Sequence, residues 1–137
     1  MTRVAAMTFA ALLVCVPCTA AEHTKDSLEK VRKTLAEKKA VLVDVREPAE
    51  WKEGRLEAAL LVPLSKLKEE GENQEFAAAL EKKLSKKKIV YCHCRSGRRA
   101  LEAADILAKL GYDVRPLKPG YEDLLKAGFP QAKKKQP

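Results

Sequence analysis

The chain has 137 residues and a formal charge of +8, with 46% hydrophobic and 34% charged residues. This is the composition of one ordinary globular domain, and it excludes a collagen-like chain, a disordered tail and a multi-span membrane protein. Four cysteines are too few for a disulfide scaffold, and with only three Phe, three Tyr and one Trp the core has to be built from Leu, Val, Ile and Ala.

Residues 1–21 read as a secretory signal. Arg3 supplies a positive start, Val4 to Val16 is an almost unbroken apolar stretch, and Pro17-Cys18-Thr19-Ala20-Ala21 offers small residues to a signal peptidase. The competing readings are a buried first helix or a membrane anchor, but the apolar run is well short of the roughly 20 residues a spanning helix needs. Lipidation at Cys15 or Cys18 requires a small residue before the cysteine, and Val14 and Pro17 stand there. Cleavage after Ala21 predicts an exported protein, periplasmic or secreted, whose remaining cysteines are Cys92 and Cys94.

Leu28, Val31 and Leu35 recur at helical spacing between Asp26 and Lys39, which predicts an amphipathic helix. Val41-Leu42-Val43-Asp44-Val45 is a continuous apolar, β-branched run of the kind buried on both faces of a parallel sheet. Glu47 to Gly54 has the length of a short helix, and Leu60-Leu61-Val62 is a second strand stopped by Pro63. Pro63 to Glu70 and Asn73 to Leu84 read as helices separated around Gly71. Ile89 to Cys92 is the third strand. The helix after it, Gly97 to Leu110, carries Ala100, Ala103, Ala104 and Leu107 on a face small enough to lie close to a sheet, with Gly111 as its stop. Tyr112 to Leu117 reads as a fourth strand and Pro119 to Ala127 as a last helix.

Strands alternating with helices imply right-handed crossovers and an α/β fold, a parallel sheet covered by helices on both faces. The organisation expected is a leader over 1–21, a helical lead-in over 22–39, the domain over 40–130 and a basic tail over 131–137. Clustered lysines such as Lys86-Lys87-Lys88 invite a nucleic-acid reading. They follow a helix, where cations favour the exposed carbonyls, and no aromatic platform is interleaved with them, so a solvated surface is the better account.

The chemistry concentrates in Tyr91-Cys92-His93-Cys94-Arg95-Ser96-Gly97-Arg98-Arg99-Ala100. Ligands of open α/β sheets gather at the carboxyl ends of strands, and Cys94 is at such an end. Its sulfur would face the N–H groups of the following turn and the positive end of the next helix, with Arg95, Arg98 and Arg99 adding permanent charge. These surroundings favour the thiolate. Gly97 lets the turn close. A lone cysteine is usually a small buried hydrophobe, but that role has no use for an Arg-Ser-Gly-Arg-Arg turn. Cys94 is therefore the expected nucleophile, and Arg95, Ser96, Gly97, Arg98 and Arg99 are the expected anion-binding cradle.

The six residues from Cys94 to Arg99 resemble the active-site loop of the single-domain rhodanese-like sulfurtransferases, whose common pattern is Cys-x-x-Gly-x-Arg. Asp44-Val45-Arg46-Glu47 with Glu50-Trp51, the stretch Gly54 to Leu64, and Pro119-Gly120 through Phe129-Pro130 are similar to that family in the same order. Two departures are Gly54-Arg55-Leu56-Glu57-Ala58-Ala59, where Gly-His-Ile-Pro-Gly-Ala is usual, and Leu124, where Trp is common. The resemblance implies a rhodanese-like sheet of four strands, or five if the family's short first strand forms before Asp26. It also implies sulfane-sulfur transfer through a persulfide on Cys94, from thiosulfate or a similar anionic donor to cyanide or a thiol. No metal or organic cofactor, no nucleic acid and no membrane contact after leader cleavage are then expected.

Asp44, Arg46 and Glu47 follow the first strong strand and are read as loop-fixing ion pairs rather than as catalysts. Cys92 and His93 suggest metal, yet neighbouring strand residues face opposite sides and the chain has only two histidines, too few ligands for a closed site. Cys92 could resolve an oxidised Cys94, but residues two apart in a strand are poorly spaced for a disulfide. A phosphatase or arsenate reductase uses His-Cys-x5-Arg, and here Ala100 stands where that arginine belongs, with Arg99 one position early. A non-catalytic sulfur carrier or protein-binding module is the alternative from another class.

Overall fold

The computed structural model describes residues 19–134, so the apolar stretch of the expected leader lies outside the described residues. The chain order is α1 (Leu28–Ala36), β1 (Ala40–Asp44), α2 (Pro48–Glu53), β2 (Ala59–Leu61), α3 (Leu64–Glu70), α4 (Gln74–Lys83), β3 (Ile89–His93), α5 (Arg98–Lys109), β4 (Asp113–Pro116) and α6 (Tyr121–Lys126). The ends follow local chemistry. Ser27 caps α1 by accepting from the Lys30 N–H, and Asn73 caps α4 by accepting from Glu75 and Phe76.

The four strands form one parallel sheet in the order β2-β1-β3-β4, with Leu42 opposite Ala59 and Tyr91, and Cys92 opposite Pro116. Both faces are covered, which is why β1 and β3 are apolar without alternation. Val43, Val45, Val90, Cys92 and Cys94 face a core completed by α3, α4 and α5, where Leu67, Leu80, Ala103 and Leu107 are buried. Leu42 and Tyr91 face the opposite core with Val31 of α1 and Leu124 of α6. Each fully buried aliphatic side chain contributes about 1.5–3 kcal/mol. Leu124 is itself fully buried, so the smaller side chain at that position still packs.

No strand forms before Asp26 among the described residues. The segment lies along β4 and makes a single ladder-like bond, from the Thr24 N–H to the Pro116 carbonyl at 2.8 Å. At the other end the structure moves one expected boundary. Gln131 and Ala132, read from the sequence as the start of the basic tail, belong to the fold. Gln131 forms an antiparallel bridge with Leu56, and the Ala132 N–H donates to the Arg55 carbonyl at 2.9 Å. Their backbone groups fasten the turn from Gly54 to Ala59, where the sequence departs from the family pattern. Among the described residues, no helix is long and apolar enough to cross a membrane.

Candidate active site

Cys94 is the first residue after β3, and Gly97 is the N-cap of α5. The intervening turn folds back so that the Gly97 N–H donates to Cys94 Sγ at 3.0 Å. The turn requires a left-handed residue, and Gly97 supplies it at φ 90°. A side chain there would also come within 2.6 Å of the Lys118 carbonyl. Cys94 is buried beneath this turn, and its own carbonyl accepts from the Tyr121 N–H at 2.9 Å, joining the loop to the start of α6.

The loop arginines divide three ways. Arg98 is 87% exposed and reaches only Glu102 at 3.9 Å. Arg99 turns toward α2 and makes a two-pronged pair with Glu50, its two terminal nitrogens at 2.7 and 2.8 Å from the carboxylate oxygens. Arg95 is exposed at the crest and lines a cleft of about 420 Å³ with Arg46, Glu50, Glu53, Tyr121 and Glu122. Ser96 is exposed beside it. The structure thus brings Cys94 and Gly97 into contact, places Arg95 on the wall of a cleft that Cys94 does not line, makes Arg99 a strut, and leaves Arg98 to solvent.

The Glu50–Arg99 pair has an electrostatic signature. The Arg99 guanidinium holds the Glu50 carboxyl at about 2, against an ordinary value of 4.5, and burial only partly opposes this. A carboxyl lowered on folding stabilises the protein fully above its unfolded value and loses that contribution as the pH falls toward the folded one. Both partners are about 30% exposed, so the contribution at neutral pH is about 1 kcal/mol. Glu50→Gln is expected to lower the urea midpoint at pH 7, and the gap to wild type is expected to close between about pH 4.5 and 2. A gap that persists undiminished at the acid end would assign the effect to packing instead.

Beneath the cleft, Asp44 and Arg46 form a buried pair. Arg46 donates to Asp44 through Nε at 3.0 Å and a terminal nitrogen at 2.7 Å, donates from the latter also to the Gly54 carbonyl at 2.8 Å, and lies 4.1 Å from the Tyr121 ring centre. Glu47 accepts from the Ser65 hydroxyl at 2.7 Å and ties α2 to α3. All three residues hold loops in place, in line with their expected role. His93 is fully buried with Nε2 3.8 Å from Asp44 Oδ2, and burial pushes its pKa down, leaving it neutral. Cys92 faces the core completed by α3, α4 and α5, its thiol donating to the Ala100 carbonyl at 3.4 Å, and burial pushes its pKa strongly up. Cys92 and His93 therefore point to opposite sides of the sheet, and both cysteines are free thiols.

Three participants carried no role in the sequence reading. Glu50 was visible only as part of a family-like segment, although an acidic residue in such a segment is a natural partner for a loop arginine. Gly120 lies so close to the Arg95 carbonyl that a Cβ would overlap it, which accounts for the glycine after Pro119. His23 hydrogen-bonds the Gly97 carbonyl, and no local pattern announced it.

A family model for the rhodanese-like domain matches residues 27–127. The human thiosulfate:glutathione sulfurtransferase is 34% identical over 91 residues, 63% of this chain and 78% of that protein. A Schizosaccharomyces pombe protein assigned as a mitochondrial thiosulfate sulfurtransferase is 39% identical over 85 residues, and the match spans 59% of either chain. The solved structure of a human single-domain sulfurtransferase superposes with a TM-score of 0.60 at 28% identity, covering 72% of this chain and 92% of that one. A four-stranded parallel sheet covered by helices on both faces, matched over most of its length, is thus a known class of domain. The chain belongs to the rhodanese-like family, which includes proteins named as sulfurtransferases.

Proposed function

We propose that this protein moves sulfane sulfur from thiosulfate, or a similar small anionic donor, to cyanide or a thiol through a persulfide on Cys94. The observation that carries this reading is the 3.0 Å bond from the Gly97 N–H to Cys94 Sγ at the carboxyl end of β3. An amide aimed at the sulfur stabilises the negative charge of the Cys94 thiolate, both before it attacks the donor and as it re-forms when the sulfur is handed on, at no reorganisation cost. In the first step the Cys94 thiolate attacks the outer sulfur of thiosulfate. The donor's S–S bond breaks, sulfite leaves with the bonding pair, and the enzyme holds Cys94–S–S⁻. In the second step cyanide attacks the terminal sulfur, thiocyanate forms, and the Cys94 thiolate returns. This is covalent two-step catalysis with ping-pong kinetics. Arg95, exposed on the turn directly after Cys94, offers the approaching dianion its cationic contact.

Intact-mass measurement after thiosulfate treatment tests the proposal. The expected gain is a single sulfur atom, mapped to the Cys94 peptide and removed by cyanide, with Cys92 unmodified because its thiol donates to the Ala100 carbonyl and strongly disfavours ionisation. A folded protein that gains no sulfur would make the chain a non-catalytic binding module. Rapid hydrolysis of an aryl phosphate would point to the phosphatase reading, which the short loop disfavours. The apolar N-terminal stretch further supports export with cleavage after Ala21. An exported form beginning at Glu22 is the expected product, and retention of the uncut chain in the cytoplasm would overturn it.

A further inference from the structure

Residues 21–26 run as a strap from α5 to the edge of the sheet. The Ala21 N–H donates to Asp105 Oδ1 in α5 at 2.7 Å, and the Thr24 N–H donates to the Pro116 carbonyl of β4 at 2.8 Å. Asp26 then accepts from the Tyr91 hydroxyl at 2.8 Å and from Arg115 at 2.9 Å. Between the first two anchors, the half-buried His23 places Nε2 2.9 Å from the Gly97 carbonyl oxygen. A carbonyl only accepts, so Nε2 carries the proton and donates.

Gly97 is the junction of two peptide planes. The N–H of the first holds the Cys94 sulfur, and the C=O of the second is held by His23. Only the two soft angles of a single glycine separate those planes, and glycine is the residue least able to keep such angles by itself. Tethering the second plane restricts the first. We propose that His23 is a positioning residue for sulfur transfer: it pins the Gly97 junction so that the amide stays on the Cys94 sulfur while that sulfur cycles between thiolate and persulfide. The inference rests on the sulfurtransferase reading. His23 lies outside residues 27–127, so the device belongs to this chain's lead-in rather than to the matched domain. The proposed cut after Ala21 removes the first anchor and leaves His23 and Thr24 in place.

The test compares His23→Ala and His23→Gln in the full chain, using thiosulfate and cyanide as substrates. Glutamine offers an amide donor in place of the imidazole N–H. His23→Ala is expected to lower kcat about three- to tenfold, the effect of one neutral hydrogen bond, with KM within about twofold and the melting temperature lowered by only a few degrees. His23→Gln is expected to recover most of the loss. The Gly97 carbonyl carbon resonance should move in His23→Ala and return in His23→Gln. An active wild type with unchanged kcat in His23→Ala, a glutamine variant that fails to recover, or an unmoved Gly97 resonance would each overturn the proposal. A folded wild type that takes up no sulfur sinks the functional reading, and this role with it, while the Gly97 resonance still reports whether the bond exists.

Discussion

Gly120→Ala is expected to reduce sulfur transfer by about a hundredfold and to destabilise the fold by about 1–3 kcal/mol. The backbone there is extended, at φ −90° and ψ −174°, so alanine meets no conformational penalty. The cost is steric, because the added methyl would overlap the Arg95 carbonyl and come within 3.0 Å of the Ser96 nitrogen, both backbone atoms that cannot swing aside. Either the turn carrying Cys94 moves outward or α6 backs away. In both cases the bond from the Tyr121 N–H to the Cys94 carbonyl, one residue from the clash, is lost. Gly111→Ala is the control. Gly111 has a positive φ of 97°, but its nearest neighbour would be the flexible Lys86 side chain at 3.6 Å, at the other end of α5 from the Cys94 turn. That variant is expected to lose about 1–2 kcal/mol through backbone strain and to keep its kcat. Equal activity in the two variants would refute the close fit between Gly120 and the loop.

Arg46→Met is expected to have the larger effect on stability, about 3–5 kcal/mol, because it strands Asp44 in the interior. The Asp44 side chain has no exposed surface and that of Arg46 has 5%. With Arg46 gone, Asp44 keeps the N–H of residue 46 and a neutral His93 at 3.8 Å, neither of which replaces a guanidinium. The guanidinium also holds the Gly54 carbonyl and stacks on Tyr121, so the floor of the cleft loosens with it. Adding Asp44→Asn removes the unpaired charge, and the double variant is expected to be more stable than Arg46→Met alone. Urea unfolding of the two variants and the wild type measures this. A single-variant loss below about 1 kcal/mol would show that water reaches and solvates Asp44.

The strands and the Cys94 turn were legible because their causes are local. A run such as Val41 to Val45 is apolar at every position only where both faces of a strand are covered, and the two cores on either side of β1 do cover it. Likewise the small face of α5 and the glycine at 97 express constraints acting within a few residues, so Cys94 could be placed at a strand end beside its own loop amide. The division among the arginines was not legible. Three of them stand within six positions of sequence, and nothing in that string separates the exposed Arg98 from Arg99, whose partner Glu50 lies 49 residues away, or from Arg95 at the cleft.

The same distance in sequence hid His23, 74 residues before the carbonyl it holds, and the contact of Gly120 with Arg95. Hydrophobic burial and turn geometry are written into short segments, because each residue's own chemistry and its near neighbours set them. Which polar groups meet across the top of the sheet depends on where packed helices deliver them, and that follows from the summed packing of the whole chain.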